Sequence, residues 1–424
     1  MRGAYRWLIF IGITALMVLN FLDRVVMSFA VVPLSRQLHL TPAQIGLVLS
    51  AFFWGLVPAS LLAGYLADRW GPKRVWSWGA TWWSLFTVGT AVASSLAGLI
   101  AARILFGIGE GPTLSNGIRV ARDWAAPQER GRATGLAFLG VFLAPAIGAP
   151  IITALIHWGG WRAPFYVLGV LGLLWVVWWQ RRFHNRPEDS PYVTPEELAW
   201  IRQESPLAAP SAGSSGSATP SVVATLWAGF AFGYALYFLL TWMPEYLVLA
   251  HHLSLRALGW FAGIPWLGAM AGQYLGGHLS DSVFRRTGRW RVARGYLTAG
   301  FLILVGVCLY VGVTVQTVGA AIAFLTLAAT ANACAAPIVE TALLDQVPNR
   351  SGTWGGVLQV AFTLPGVFAP ILTGILVANT HSFVGSFVLA AAVLVSGGVV
   401  AGLGMRLPQG SEGVGSAVSA VSPH

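Results

Sequence analysis

The sequence contains few charged residues and few cysteines. Only 9% of its 424 residues are Asp, Glu, Lys or Arg, whereas 56% are hydrophobic. Soluble globular domains carry about 25% charged residues, so this composition excludes an ordinary soluble protein and favours one that the lipid bilayer surrounds. Both cysteines, Cys308 and Cys334, lie in apolar segments. We expect them to be small core residues, not a structural disulfide.

Several functional signatures are also missing. The eight histidines show no metal-ligand spacing, and no P-loop is present. The apolar segments hold no nucleophile and base in a catalytic pattern. The net charge of +10 is not concentrated in the contiguous basic face that nucleic-acid binding needs. We therefore expect no enzymatic activity, no cofactor, no metal and no nucleic-acid partner.

What the sequence does contain is a series of long apolar segments. A transmembrane helix needs roughly 20 mostly apolar residues, and twelve segments of this kind are present. They lie near residues 7–35, 44–67, 75–95, 96–118, 132–156, 163–181, 222–248, 256–278, 292–314, 316–342, 353–378 and 382–405. The sequence therefore predicts an all-α membrane protein with twelve transmembrane helices.

One long polar interval divides these segments into two sets of six. Residues 182–221 pass from an acidic stretch into low-complexity sequence, which is typical of a linker, and a short surface helix is expected around Glu196–Gln203. We expect an N-terminal six-helix bundle at 1–181, a cytoplasmic linker at 182–221, a C-terminal six-helix bundle at 222–405, and a cytoplasmic tail at 406–424.

The distribution of basic residues predicts the orientation, because Lys and Arg accumulate in short cytoplasmic loops. If both termini are cytoplasmic, 20 of the 25 Lys and Arg residues lie in cytoplasmic segments. We therefore expect a multi-pass protein of the cell inner membrane with both termini in the cytoplasm.

The two sets of helices share three motifs. Gly64, Leu66 and Asp68 recur in the second set as Gly277, Leu279 and Asp281. Pro127, Gly131 and Gly135 recur as Pro348, Gly352 and Gly356, and Ala149-Pro150 recurs as Ala369-Pro370. The three matches lie at nearly the same offset along the chain, which indicates a duplication of six helices. Such transporters hold the substrate between their halves and expose it alternately on the two sides.

The repeated loops also carry the candidate gating residues Asp68, Arg69, Arg74 and Asp281. Asp68 can cap a helix end or pair with an Arg of a neighbouring helix while the inward gate is closed. The alternative is a charged turn that only fixes topology.

Four charged residues lie well inside apolar segments: Asp23, Arg24, Arg103 and Glu110. An ionisable side chain at that depth costs several kcal/mol, so it usually faces a cavity and has a function. Arg103 and Glu110 are seven residues apart, which places them about 20° from the same helix face. Because the forked donors of guanidinium suit paired carboxylate oxygens, Arg24 and Arg103 predict a site for a carboxylate.

Asp23 and Glu110 have two possible roles beside these arginines. They are either permanent counter-ions or carboxylates that take up a proton when the arginines turn to a substrate. The second role would couple transport to protons. A third possibility is that all four residues form buried ion pairs that only fix helix packing.

Other polar residues are weaker candidates. Trp54, Tyr234 and Tyr237 are candidates for substrate contact, although aromatic residues often serve packing. Glu340 and Asp345 approach a helix end and fit gating or helix-end roles. Glu245 is expected in water at the outer end of its helix.

These residues carry a resemblance to a known family over nearly the whole chain. The motifs are Asn20-Phe-Leu-Asp23-Arg24, Ser50-Ala-Phe-Phe-Trp54, Arg103-Ile-Leu-Phe-Gly107-Ile-Gly-Glu110-Gly-Pro112, Gly160-Trp-Arg162 and Thr241-Trp-Met-Pro244-Glu-Tyr246-Leu. They resemble the anion:cation symporter family of the major facilitator superfamily, which includes bacterial galactonate, glucarate, hexuronate and phthalate transporters. The resemblance implies the major facilitator fold, anion binding by Arg24 and Arg103, and proton transfer by Asp23 and Glu110.

The sequence departs from the sugar-acid members of that family at several positions. Leu56 and Val141 replace polar residues, and Gln359 and Thr363 stand where Asn is expected. We include Gln359 and Thr363 among the candidate substrate contacts. Fewer hydroxyl-binding groups favour a small carboxylate that carries few hydroxyls.

The sequence therefore predicts a monomeric, proton-coupled symporter that imports a small organic anion across the inner membrane. One alternative is a major facilitator antiporter that exports a metabolite or drug, although cationic or apolar cargo suits paired arginines poorly. An alternative of another class is a transporter-like membrane sensor, which normally needs an appended cytoplasmic domain.

Overall fold

The structure is a computed structural model that describes residues 5–126, 129–202, 219–347 and 351–407. Its helices are α1 (Tyr5–Leu38), α2 (Pro42–Val92), α3 (Leu96–Glu110), α4 (Thr113–Trp124), α5 (Arg130–Phe138), α6 (Gly140–Gly159), α7 (Ala163–Arg182), α8 (Pro195–Ile201), α9 (Pro220–Leu249), α10 (Leu255–Phe261), α11 (Ile264–Thr287), α12 (Leu297–Thr314), α13 (Val318–Gln346), α14 (Ser351–Thr363), α15 (Pro365–Thr380) and α16 (Val384–Gly404). A π-helical turn, Arg291–Tyr296, precedes α12.

Each of the twelve predicted membrane segments is helical. Nine helical segments within the described residues are long and apolar enough to cross a membrane. The other three predicted segments correspond to the second half of α2, to α3 with α4, and to α10 with α11. Cys308 and Cys334 are buried and free, which confirms that they are core residues.

Local sequence explains where the helices begin and bend. The side chain of Thr41 accepts a hydrogen bond from the Gln44 amide at 3.3 Å, and the Gln44 side chain accepts one from the Thr41 amide at 2.9 Å, so α2 begins with a capping box. Gly71 has a φ of 77°, which side chains rarely adopt, and it bends α2 at the loop that the sequence predicts between two spans.

The linker contains the short helix that the sequence predicts. Thr194 caps α8 by accepting a hydrogen bond from the Glu197 amide at 3.2 Å, and Pro195 follows in the first turn. Glu197 then accepts a hydrogen bond from Nη1 of Arg6 at 3.0 Å, and Arg6 also donates through Nε to Glu129 at 2.9 Å. This ion-pair network fixes α8 against α1 and the start of α5. Gln203, the predicted end of the helix, lies outside the described residues.

The chain forms two compact units. The first unit comprises Met1–Pro210, Thr241–Gly263 and Pro370–Ala378, and the second comprises Ser211–Leu240, Ile264–Ala369 and Asn379–His424. These boundaries follow packing, whereas the predicted boundaries at 181 and 222 follow the sequence repeat. The division at the repeat therefore stays a prediction.

Close contacts explain why two short segments of the C-terminal half belong to the first unit. The indole Nε1 of Trp242 donates a hydrogen bond to the Pro370 carbonyl at 3.2 Å. A Cβ added to Gly46 would lie 2.5 Å from the same Pro370 oxygen. A Cβ added to Gly259 of α10 would lie 2.2 Å from Oγ1 of Thr153. The repeated Ala-Pro segments of α6 and α15 thus each pack against a helix from the other half of the sequence.

The same kind of contact joins the two helices that frame the candidate site. A Cβ on Gly107 of α3 would lie 2.0 Å from the Phe52 carbonyl oxygen, and a Cβ on Gly55 of α2 would lie 2.0 Å from the Ile104 carbonyl oxygen. Small residues let helix backbones approach closely in membranes. The first half of α2 therefore presses against α3, which brings Phe52 next to Arg103.

Candidate functional site

The first unit brings the four predicted intramembrane charges together. Asp23 and Arg24 lie on α1, and Arg103 and Glu110 lie on α3. Their exposed fractions are 2% for Asp23, 9% for Arg24, 2% for Arg103 and 1% for Glu110. Buried charges need partners or a ligand, so the contacts of each residue indicate what it can do.

Arg24 and Glu110 form a buried ion pair. The Arg24 Nε donates to Oε2 of Glu110 at 2.9 Å, and the side chains are 6% and 0% exposed. The amide side chain of Asn20, one turn before Arg24, lies next to Glu110. Glu110 is thus the counter-ion of Arg24 in this structure, which is one of the two roles that the sequence left open.

Arg103 is held mainly by aromatic rings. Its guanidinium carbon lies 4.3 Å from the ring centre of Phe106 and 5.4 Å from that of Phe52. Its Nε is buried and has no hydrogen-bond partner among the described residues. Cation–π contacts stabilise the charge without occupying the N–H donors, so Arg103 keeps donor capacity for an anion.

Phe52 is the residue that links the two arginines. The guanidinium carbon of Arg24 lies 5.1 Å from the Phe52 ring centre and 4.4 Å from that of Phe21. Both cations therefore contact one ring of α2. The arrangement places two guanidiniums and one shared aromatic surface in a buried site.

Asp23 completes the cluster from α1. It accepts a hydrogen bond from the Thr87 hydroxyl at 3.3 Å, and that hydroxyl also donates to the Trp83 carbonyl at 3.0 Å. Asp23 lies within electrostatic range of Glu110 and Arg103. The two carboxylates and the two arginines therefore form one interacting group.

Sequence reasoning missed Asn20, Phe52 and Thr87 as members of this group. Asn20 and Phe52 lie within the helix 1 and helix 2 motifs, so the motifs could have indicated them. Thr87 has no sequence signal, because its role depends on how α2 packs against α1. Trp54, which was predicted to contact substrate, is 40% exposed and stays a prediction.

The candidate substrate residues of the second unit are neutral. Tyr234 and Tyr237 on α9 are 2% and 6% exposed, and the Tyr234 hydroxyl has no hydrogen-bond partner among the described residues. On α14, Nε2 of Gln359 donates to Oγ1 of Thr363 at 3.3 Å. Asn332 of α13, which sequence reasoning missed, is 3% exposed and donates to the Phe232 carbonyl at 3.2 Å.

The predicted gating residues are described only in part. Arg69 donates to the Tyr65 hydroxyl at 2.9 Å, and Arg74 is exposed, whereas the side chain of Asp68 lies outside the described part of the chain. In the second unit, Asp281 pairs with Arg294 at 3.0 Å. Arg294 also lies 3.6 Å from Asp345, which accepts a hydrogen bond from Trp290 at 2.7 Å. Arg294 is therefore the centre of this group, and the sequence did not single it out.

One expectation about the outer residues was wrong. Glu245 was expected in water, but it is only 4% exposed. Glu245 belongs to the segment Thr241–Gly263, which packs into the first unit. Glu340 is exposed, and its predicted gating or helix-end role stays a prediction.

The chain is similar to a family model and to several transporters. Residues 13–307 match the Major Facilitator Superfamily model. A probable sulfoacetate transporter of Cupriavidus necator is 31% identical over 91% of this chain and 90% of its own length. The hexuronate transporter of Bacillus subtilis is 30% identical over 89% of each chain. A probable galactarate/D-glucarate transporter of Escherichia coli is 30% identical over 87% of this chain and 86% of its own.

A solved structure shows the same fold at lower sequence identity. The crystal structure of a bacterial homolog of the human lysosomal transporter Spinster covers 96% of this chain and 98% of its own, with a TM-score of 0.81 and 19% identity. The all-helical architecture of the described residues, the duplicated motifs and the family match agree with one another. The chain therefore belongs to the major facilitator superfamily, a family of multi-pass membrane transporters, and has the major facilitator fold.

Proposed function

We propose that this chain is a proton-coupled symporter that carries a small organic anion across the inner membrane by alternating access. The observation that carries the proposal is the buried group of Arg24, Arg103, Asp23 and Glu110 in the first unit. It combines two cations, which can bind an anion, with two carboxylates, which can take up a proton, at one place.

The arginines supply the anion site. Nε of Arg103 has no hydrogen-bond partner among the described residues, whereas Arg24 donates to Glu110 at 2.9 Å. An incoming carboxylate first gains the donors of Arg103 and then competes with Glu110 for Arg24. Charge-assisted hydrogen bonds in a water-poor site are strong enough to drive this exchange.

The exchange of partners supplies the coupling. When the substrate takes Arg24, Glu110 loses its counter-ion while it remains buried. A carboxylate without a partner in such surroundings is favoured in its protonated form. Substrate binding therefore draws a proton to Glu110 or to Asp23, and the neutral carboxylate travels with the anion.

The substrate class follows from the same site and from the relatives. A sulfoacetate molecule has two anionic groups and no hydroxyl, so it could engage Arg24 and Arg103 together. Leu56 is only 4% exposed, and Val141 is half-buried. These apolar side chains would leave the hydroxyls of a sugar acid unsatisfied at about 1–3 kcal/mol each, so we propose a small carboxylate with few hydroxyl groups.

The candidate substrate residues of the second unit are neutral. Tyr234, Tyr237, Gln359 and Thr363 are proposed to contact the substrate, and Asp281 with Arg294 to act in gating. Both termini are proposed to be cytoplasmic, which is the orientation that the basic loops favour.

The test is substrate-dependent proton uptake in proteoliposomes that contain the purified protein. Sulfoacetate, glucarate and glucuronate are added separately to liposomes with an internal pH indicator. Symport predicts acidification of the lumen with sulfoacetate, and little change with glucarate. Release of protons on substrate addition would instead indicate antiport. Transport without proton movement would overturn the coupling, and a preference for glucarate would overturn the substrate class.

A further inference from the structure

An apolar groove runs along the surface of the first unit, apart from the charged cluster. It has a volume of about 490 Å³ and lies between α1, α5 and α7. Ile11, Ala15 and Leu19 line it along α1, and Leu136 and Leu171 line it from the other two helices. Ile11 and Leu171 are 56% and 42% exposed, so the groove opens toward the surroundings of the protein.

The groove offers no polar side-chain atom that lacks a partner among the described residues. Thr14 is its one hydroxyl-bearing residue. The single hydrogen of that hydroxyl is shared between the Leu136 carbonyl, at 2.7 Å, and the Phe10 carbonyl, at 2.9 Å. A molecule bound in the groove would therefore contact only apolar groups. From Ile11 to Leu19 the helix rises roughly 12 Å, which is close to the ~15 Å depth of one leaflet of the hydrocarbon core.

A cation lies one helical turn beyond one end of the groove. Trp7 precedes Ile11 by one turn of α1, and Arg132 precedes Leu136 by one turn of α5. The guanidinium carbon of Arg132 lies 5.9 Å from the Trp7 ring centre, and Arg132 is exposed. An aromatic ring beside a basic residue is typical of the level where lipid headgroups meet the hydrocarbon.

The neighbouring carboxylate does not neutralise this arginine directly. Glu129 lies within electrostatic range of Arg132, but both of its oxygens accept hydrogen bonds from Arg6, at 2.9 and 3.1 Å. Arg132 therefore keeps its N–H donors for another anion. A phosphate at this position would contact Arg132 while a chain attached to it enters the groove.

We propose that this groove and Arg132 form a binding site for one anionic phospholipid, with an acyl chain along α1 and the phosphate on Arg132. The site is independent of the proposed transport function, because it uses none of the four intramembrane charges. An exposed cation one helical turn beyond a hydrocarbon groove favours a lipid over a free phosphate, which would gain nothing from the groove.

The experiment is a lipid titration of the delipidated full-length protein, read by thermal shift and by native mass spectrometry. Phosphatidylglycerol and phosphatidylcholine with identical acyl chains are compared, with inorganic phosphate as a third ligand. We expect phosphatidylglycerol to bind more tightly than phosphatidylcholine, and inorganic phosphate to cause no shift. A juxtamembrane Arg contributes about 1 kcal/mol toward anionic lipid, so the preference attributable to Arg132 should be roughly fivefold.

Two variants test the two parts of the site. Arg132→Gln should lose the preference for phosphatidylglycerol while it still binds both lipids, and Ala15→Phe should weaken both because the ring fills the groove. Arg286→Gln, which removes an exposed arginine of the second unit, is the matched control and should keep the preference. Equal binding of the two lipids by the wild type, an unchanged preference in Arg132→Gln, or an equal shift with inorganic phosphate would each overturn the proposal.

Discussion

The interiors of the two units contain different polar chemistry on related helices. The first unit buries a cluster of two arginines and two carboxylates on α1 and α3, of which Arg24 and Glu110 are directly paired at 2.9 Å. In the second unit, Tyr234, Asn332 and Thr363 are buried and neutral. Its buried Arg294 pairs with Asp281, whose side chain is 55% exposed. The duplication thus preserved elements that shape the helices, such as the Ala-Pro segments, but not the charged cluster.

The difference suggests how the two units divide the proposed function. Charges in a membrane interior are costly, and the proposed function uses one group of them for both anion binding and proton transfer. The candidate substrate residues of the second unit can then vary their hydroxyls and amides without loss of a charge partner. We therefore expect substitutions in the first unit to affect whether transport occurs, and substitutions in the second to affect which substrate is preferred.

The largest effect is expected from removing the arginine with an open donor. Arg103→Ala should weaken anion binding by roughly 30-fold to several thousand-fold, because loss of one partner of a buried charge pair costs about 2–5 kcal/mol. Gln359→Ala in the second unit should weaken it by less than about tenfold. Thermal-shift titration with the transported anion measures both. Similar losses of anion affinity in the two variants would contradict the proposed difference between the two units.

The second-largest effect is expected on proton coupling, in a variant that still binds and exchanges the substrate. Glu110→Gln should keep counterflow exchange but lose accumulation driven by a pH gradient, because the amide resembles the protonated acid and cannot cycle. Glu245→Gln makes the same change at a buried carboxylate of α9 that lies outside the cluster, and it should keep both activities. If Glu110→Gln still accumulates substrate, Asp23 becomes the coupling residue.

The third effect concerns the ion pairs that lie outside the cluster. Arg6→Gln leaves Glu197, which is 1% exposed, buried without its partner, and such a loss costs about 3–5 kcal/mol. Arg294→Gln in the second unit should cost about 1 kcal/mol, because its partners Asp281 and Asp345 have side chains that are 55% and 34% exposed. Melting temperatures give the comparison, and hydrogen exchange of Pro195–Ile201 should rise only in Arg6→Gln. Equal destabilisation would mean that burial does not distinguish the two groups.

The smallest effect is expected from a single hydroxyl in the second unit. Tyr234→Phe removes a buried hydroxyl that has no partner among the described residues. It should change the affinity for a carboxylate without hydroxyls by less than about fivefold, because one hydrogen bond contributes about 0.5–1.5 kcal/mol. The ratio of affinities for glucuronate and sulfoacetate is the sharper measurement. A loss as large as that of Arg103→Ala would place an essential contact in the second unit.

The membrane architecture and the four charged residues of the cluster could be predicted from the sequence alone. A helix needs a defined length of apolar sequence to cross the bilayer, so the twelve segments could be identified from the sequence alone. Arg103 and Glu110 share a helix face because of their seven-residue spacing, which is a local property. Asp23 and Arg24 could also be identified from the sequence, because a charged residue inside a membrane segment is energetically costly and therefore usually has a function.

The partners of these residues depend on how the helices pack and could not be predicted from the sequence. Arg24 donates a hydrogen bond to Glu110, which lies 86 positions away in the sequence, and Thr87 donates one to Asp23, which lies 64 positions away. The two arginines share the Phe52 ring because Gly55 and Gly107 let α2 and α3 approach closely. Glu245 is buried because Thr241–Gly263 packs into the first unit. The spacing of residues along one helix determines the face on which each side chain lies. The packing of the other helices determines which residues that face contacts.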